Sequence, residues 1–149
     1  EVGREYAALA HGRLVPAQRS FDGSIGRDPS SRLRMAVVAS GKTARTDVRL
    51  EAFARDTSAV VCRLHTGRTH QIRVHLSHAG HPFLGDTVYG GREALGMIRP
   101  ALHARRLDFL HPIGGQAMAF EAQFPADFQQ AWLSVLQRYN GSSSVCDER

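Results

Sequence analysis

Residues 58–82 read as a strand, a glycine turn and a short helix in immediate succession, and that order constrains the fold more than any other stretch of the chain. Residues 58–65 are apolar, with Val60, Cys62 and Leu64 alternating with Val61, Arg63 and His65. That is the two-residue period of a strand. Thr66-Gly67-Arg68-Thr69 then turns the chain, with Thr69 as the predicted N-cap. Ile72, Leu76 and Ala79 follow at spacings of four and three, which places them on one helical face. Gly80 suits the position just past the helix, and Pro82 supports the stop.

Other elements assemble around this unit. Residues 4–11 suit a buried strand that Gly12 and Pro16 end, and 17–33 read as a long polar loop. Residues 35–38 suit a short strand. Residues 44–54 and 58–65 read as an antiparallel pair joined through Arg55-Asp56-Thr57. Two more strands are expected at 102–111 and 118–124. A helix is expected at 126–139, with Phe128, Ala131, Trp132, Val135, Leu136 and Tyr139 on its core side. The class is α+β: a mixed, mostly antiparallel sheet with flanking helices. Residues 1–139 form one domain, and 140–149 are expected to be a disordered tail.

The chain has 149 residues, enough for one core. It contains no apolar run long enough to span a membrane. Its first residues lack a basic stretch followed by an apolar one, so no secretory leader is read there. Two cysteines, Cys62 in a strand and Cys146 in the polar tail, do not make a disulfide scaffold; a reducing cytoplasm is the expected setting. Charge is uneven. Residues 1–75 carry 13 basic and 7 acidic residues, a net of +6, while 76–149 carry 6 and 7, a net of −1. Such a basic half suits either a polyanion such as RNA or an ordinary solvated surface.

The segment 64–76 carries the strongest chemistry. Arg68 lies in the turn and Arg73 one turn into the helix, and His70 and Arg73, three apart, share a face away from Ile72 and Leu76. Cationic groups at a helix start can hold a carboxylate or a phosphate. The same spacing also fits a plain polar helix face. Histidines at 65, 70, 75, 78 and 81 raise the question of a metal, but they make no His-Glu-x-x-His pattern and lie near no cysteine pair. Solvent-facing or internally bonded histidines are expected instead, with no metal.

Thr-Gly-Arg-Thr-His-Gln-Ile-Arg-Val-His-Leu at 66–76 resembles the motif of RluA-type RNA pseudouridine synthases. Five further blocks follow that family's order. Upstream lie Arg4-Glu5-Tyr6-Ala7-Ala8-Leu9, Ile25-Gly26-Arg27-Asp28-Pro29 and Gly41-Lys42-Thr43-Ala44. Downstream lie Gly80-His81-Pro82 with Gly85-Asp86-Thr87-Val88-Tyr89-Gly90, and Ala101-Leu102-His103-Ala104 with Leu107, Phe109, His111 and Pro112. The resemblance implies the pseudouridine synthase catalytic-domain fold and conversion of uridine to pseudouridine in structured RNA, with ribosomal RNA favoured over transfer RNA and the two not separated by sequence. It implies no metal or organic cofactor. Tyr6 matches the active-site tyrosine, which stacks on the base and takes the C5 proton late in the reaction. Arg73 matches the basic residue that pairs with the catalytic aspartate, so Tyr6 and Arg73 should flank one pocket. Arg27, Arg32, Arg34, Arg68 and His70 are the candidate RNA contacts, with Asp86 expected to shape its glycine loop at a family position near the site.

One family block is missing from the 149 residues. The nucleophilic aspartate belongs to His-Arg-Leu-Asp-x-x-Thr-Ser-Gly, which should precede Tyr6, and nothing in 1–5 fits. Arg106-Leu107-Asp108 lacks the Thr-Ser-Gly end, and Arg55-Asp56-Thr57-Ser58 would put alanine at the aspartate position. The chain is therefore expected to be the C-terminal part of a catalytic domain that is incomplete on its N-terminal side and inactive alone. An upstream segment or a second chain would supply the nucleophile. A non-catalytic RNA-binding module or a complementing half-subunit is the alternative. In a chain that starts at Glu1, an exposed sheet edge is expected near Tyr6.

Overall fold

The computed structural model describes residues 3–110 and 113–141. Six strands form one antiparallel sheet in the order β2-β5-β6-β1-β7-β8: β1 Gly3–His11, β2 Gln18–Phe21, β5 Thr46–Ala54, β6 Thr57–Leu64, β7 Leu102–Leu110 and β8 Ala117–Glu121. A separate hairpin joins β3 Ile25–Arg27 to β4 Met35–Val37. Among the described residues two α-helices, α1 Gln71–His78 and α2 Ala126–Gly141, and one 3-10 turn, Thr87–Tyr89, complete the fold. Every strand pairing among the described residues is antiparallel.

β1 is central because its Ala-Ala-Leu-Ala run can be buried on both sides. Ala7 and Leu9 face α2, packing with Ala52, Ala54, Ala59 and Val61 against Phe128, Ala131, Trp132 and Val135. Ala8 and Ala10 face α1, packing with Val48, Val60 and Cys62 against Ile72 and Leu76. A third, smaller cluster seats the β3–β4 hairpin on α1 through Ile25, Met35, Val37, Val74 and Tyr89. Full burial pushes the Cys62 thiol up to about 12, so it packs as an apolar group. Cys146 lies outside the described residues.

Several expectations change. Tyr6 does not lie at an exposed edge: it pairs with Cys62 of β6 on one side and Ala104 of β7 on the other. The sheet's edges are β2 and β8. The alternation read in 58–65 does not leave one face wet, because α2 covers the second face and Thr57–Cys62 are all buried. The supposed loop 17–33 contains β2 and β3; both are short and polar on their outward positions, which hides their period. The 55–57 connection is a two-residue turn, with Arg55 and Asp56 both at φ 56°, the left-handed geometry that matches hairpin twist. α2 continues through Gly141, so residues 140–141 are helical, and 142–149 lie outside the described residues. No helix of the described residues is long and apolar enough to cross a membrane.

Candidate active site

The turn between β6 and α1 is held by one buried side chain. Gln71 is 3% exposed. Its Oε1 accepts from the Thr66 hydroxyl (2.7 Å) and the Arg68 backbone N–H (3.0 Å). Its Nε2 donates to the Arg45 carbonyl and to Thr46 Oγ1, both at 2.9 Å. The amide thus ties the turn to β5. Thr69 is not the N-cap. His70 is, at φ 56° with no side-chain cap bond, and Gln71 satisfies the Arg68 N–H from inside the helix. At the other end Gly80, at φ 90°, donates to Ser77, and His81 donates to Leu76. This is the Schellman arrangement that the Gly-His-Pro stop anticipated.

His70 and Arg73 meet at Tyr89. The Tyr89 hydroxyl lies 2.8 Å from His70 Nδ1 and accepts the Met35 N–H at 2.9 Å, while the Arg73 guanidinium sits 4.9 Å over the Tyr89 ring. Arg73 donates from Nε and Nη2 to the two carboxylate oxygens of Asp86, at 2.8 and 2.9 Å. Asp86 is 1% exposed. Its carboxylate raises the Arg73 pKa through these hydrogen bonds, against burial. Burial, then the neighbouring Arg73 charge, lowers that of His70. Sequence reasoning gave Asp86 a loop-shaping role at a family position near the site. Its main chain does shape the loop, with its carbonyl accepting from Gly91 and Tyr89. Its side chain, however, is committed to Arg73.

Tyr6 is half-buried on the sheet face that α1 covers and packs against the cluster holding Ile72 and Leu76. It lines a cavity of about 330 Å³ with Arg4, Ala104, Leu107 and Phe120. Arg73 is not among that cavity's lining residues. Arg4 was missed by sequence reasoning. Its guanidinium lies against Gly67, where even a β-carbon would come within 2.7 Å of Nη1. Gly67 thus leaves room for the Arg4 guanidinium against the turn, and its lack of a side chain was the available signal.

The other candidate RNA contacts lie on the hairpin and the turn. Arg68 donates from Nε to the Thr43 carbonyl at 2.7 Å. Arg34 pairs with Asp28 at 2.8 Å and donates to the Val88 carbonyl, linking the hairpin to the loop that carries Asp86 and Tyr89. Arg27 donates to the Arg32 carbonyl, and the Arg32 side chain is exposed with no hydrogen bond or ion pair among the described residues. Of the two look-alike aspartates, Asp56 sits in the β5–β6 turn and Asp108 pairs with Arg106 on β7.

Among the described residues no group of three His, Cys, Asp or Glu side chains is placed to hold a metal. His75 is a bonded core residue: Nδ1 lies 2.9 Å from Thr46 Oγ1 and Nε2 lies 2.8 Å from the Gly23 carbonyl. Nε2 must donate to that carbonyl, which leaves Nδ1 to accept from Thr46. Burial lowers the His75 pKa, opposed by the Gly23 bond. The folded state then binds fewer protons than the unfolded one, so this contribution to stability is present above the ordinary histidine pKa and is lost as pH falls below it. Acidification from about pH 7.5 to about 5.5 should lower the melting temperature. In His75→Gln the fall should be shallower, by at most about 1.4 kcal/mol per pH unit. An unchanged pH slope in that variant would show that His75 titrates normally.

A basic turn and helix start beside a tyrosine-bearing strand make this a site suited to a polyanion, on a sheet with one face under each helix. The chain belongs to the RNA pseudouridylate synthase family, whose model matches residues 1–78. An uncharacterised RNA pseudouridine synthase of Bacillus subtilis is 43% identical over 130 residues, covering 87% of this chain and 45% of the relative. One from Chloroflexus aurantiacus is 50% identical over 125 residues, covering 83% and 39%. Ribosomal large subunit pseudouridine synthase D of Neisseria meningitidis is 44% identical over 160 residues, covering 99% and 42%. The chain spans less than half the length of these relatives. Among solved structures, human RNA pseudouridylate synthase domain containing 1 superimposes with a TM-score of 0.71 at 29% identity, covering 83% of this chain and 55% of the human one.

Proposed function

We propose that this chain is the C-terminal part of the catalytic domain of an RNA pseudouridine synthase acting on structured RNA, with ribosomal RNA the favoured substrate. The family match over the strand of Tyr6 and the turn of Arg68 and Arg73 carries the reading. The naming of several relatives for the large ribosomal subunit favours that RNA.

In this reading uridine is isomerised without gain or loss of atoms. The C1′–N1 bond breaks, the base turns, and a C1′–C5 bond forms. C5 then gives up its proton and N1 gains one. Tyr6 stacks on the base and takes the C5 proton. Arg73 holds and aims an aspartate carboxylate that lies outside these 149 residues, so the chain alone is inactive. Arg27, Arg32, Arg34, Arg68 and His70 grip the RNA, and no metal or organic cofactor takes part. The setting is the cytoplasm.

The test is release of tritium to water from RNA labelled at uridine C5, by this chain and by a chain extended upstream through the aspartate block. Release from the extended chain alone is expected. Release from the short chain would place a nucleophile within it. Release from neither, with RNA still bound, would favour a non-catalytic RNA-binding module.

Arg68→Ala should weaken RNA binding and reduce the slope of log K against log salt by about one, the loss of one phosphate contact. An unchanged slope would take Arg68 off the RNA surface.

A further inference from the structure

Arg73 has five N–H donors in a planar fork. Asp86 takes two of them, one from Nε and one from Nη2. Nη1 makes no hydrogen bond among the described residues, so three donors remain, two of them on the adjoining Nη1–Nη2 edge of the fork. The partners differ in exposure: the Asp86 side chain is 1% exposed and that of Arg73 is 18%. The carboxylate is thus sealed inside, while the arginine side chain keeps some contact with the surface. One further contact restricts the guanidinium. The Tyr89 ring lies beneath it, and the Tyr89 hydroxyl is itself fixed by His70 and the Met35 N–H. A flexible four-bond side chain is in this way held in one plane with one edge open.

We infer that Asp86 is a positioning residue: its buried carboxylate fixes the Arg73 fork so that the Nη1 edge is presented to an anionic group of the reaction centre. This rests on the function proposed above and adds a residue to that site. A bidentate Arg–carboxylate pair sets orientation as well as energy. A buried carboxylate used this way lets a second carboxylate or a phosphate approach a guanidinium that cannot turn away. Tyr89 acts in the same sense, from the ring face.

The experiment uses the upstream-extended chain. Single-turnover tritium release and RNA affinity are measured for wild type, Asp86→Asn, Arg73→Lys and the double variant. Asp86→Asn should lower the single-turnover rate roughly 100-fold, the order expected for a misplacement near 1 Å. RNA affinity should stay within about threefold, since binding and chemistry separate when only orientation is lost. The double variant should be no slower than Arg73→Lys, because both changes remove one device. A folded Asp86→Asn with the wild-type rate overturns the inference, and so do additive losses in the double variant. Should Asp86→Asn fail to fold, Asp86→Glu keeps the charge and moves the carboxylate by one methylene; a rate loss with unchanged affinity supports positioning, and a wild-type rate overturns it. A wild type that releases no tritium overturns the enzymatic reading itself, and this inference with it.

Discussion

Arg73→Met should destabilise the chain by about 3–5 kcal/mol, the cost of stranding a buried carboxylate without its cation. Asp86 is 1% exposed, and the bidentate bonds to Arg73 are its only side-chain hydrogen bonds or ion pairs among the described residues. Methionine fills the space of the arginine stem but offers no donor. The carboxylate, left without a donor, must then admit water, which loosens the 82–91 loop from α1. Other ties across that gap are few: Ser77 Oγ donates to the Tyr89 carbonyl at 2.6 Å, and His70 meets the Tyr89 hydroxyl. Urea unfolding of the 149-residue chain measures the effect. Arg73→Met/Asp86→Leu should recover most of the loss, because replacing a whole buried pair by apolar groups of similar size is often neutral or stabilising. A single variant costing less than about 1 kcal/mol would mean that water already shares the carboxylate.

Periods and stops were legible in the sequence. The strand over 4–11, the pair over 44–65, the helix end at Gly80 and the inward face of α2 through Phe128, Ala131, Trp132 and Val135 all appear where the patterns put them; Tyr139, assigned to the same face, has its side chain outside the described residues. These follow from local backbone geometry and from one apolar face per element. What was not legible was long-range polar pairing. Arg73 and Asp86 are separated by 13 residues and a helix end, and no periodicity connects them. Met35 and Tyr89 are separated by 54. The Arg4–Gly67 approach depends on the register of β1 against β6, which a single sequence does not give. Family resemblance placed Tyr6 and Arg73 in the site, but it gave neither Tyr89 nor Gln71 a role. Gln71 left a trace: with Val74 and His75 it occupies positions i, i+3 and i+4 of α1, an inward stripe on which a glutamine needs internal partners.

Gln71→Leu should cost about 2–4 kcal/mol, from four hydrogen bonds each worth about 0.5–1.5 kcal/mol and partly offset by apolar burial. The amide is nearly sealed, with Thr46 at 0% and His75 at 2% exposure beside it. Leucine of similar volume leaves the Arg68 N–H without its acceptor and Thr46 Oγ1 without its donor. The Arg45 carbonyl keeps the His65 N–H, and Thr66 Oγ1 keeps the Arg45 N–H, so the damage concentrates at the turn and at Thr46, where β5 begins, and not along the rest of β5. The melting temperature should fall by roughly 6–12 °C, taking about 3 °C per kcal/mol for a chain of this size. Amide exchange at Arg68 should accelerate by more than that at residues of β6, because the turn loses its anchor before the strand loses its pairing. RNA affinity should fall with it, since Arg68 is then no longer held where the Thr43 carbonyl receives its Nε. A fall in melting temperature under about 3 °C, or equal acceleration across β6, would mean that backbone pairing alone fixes the turn and that the glutamine is a passive filler.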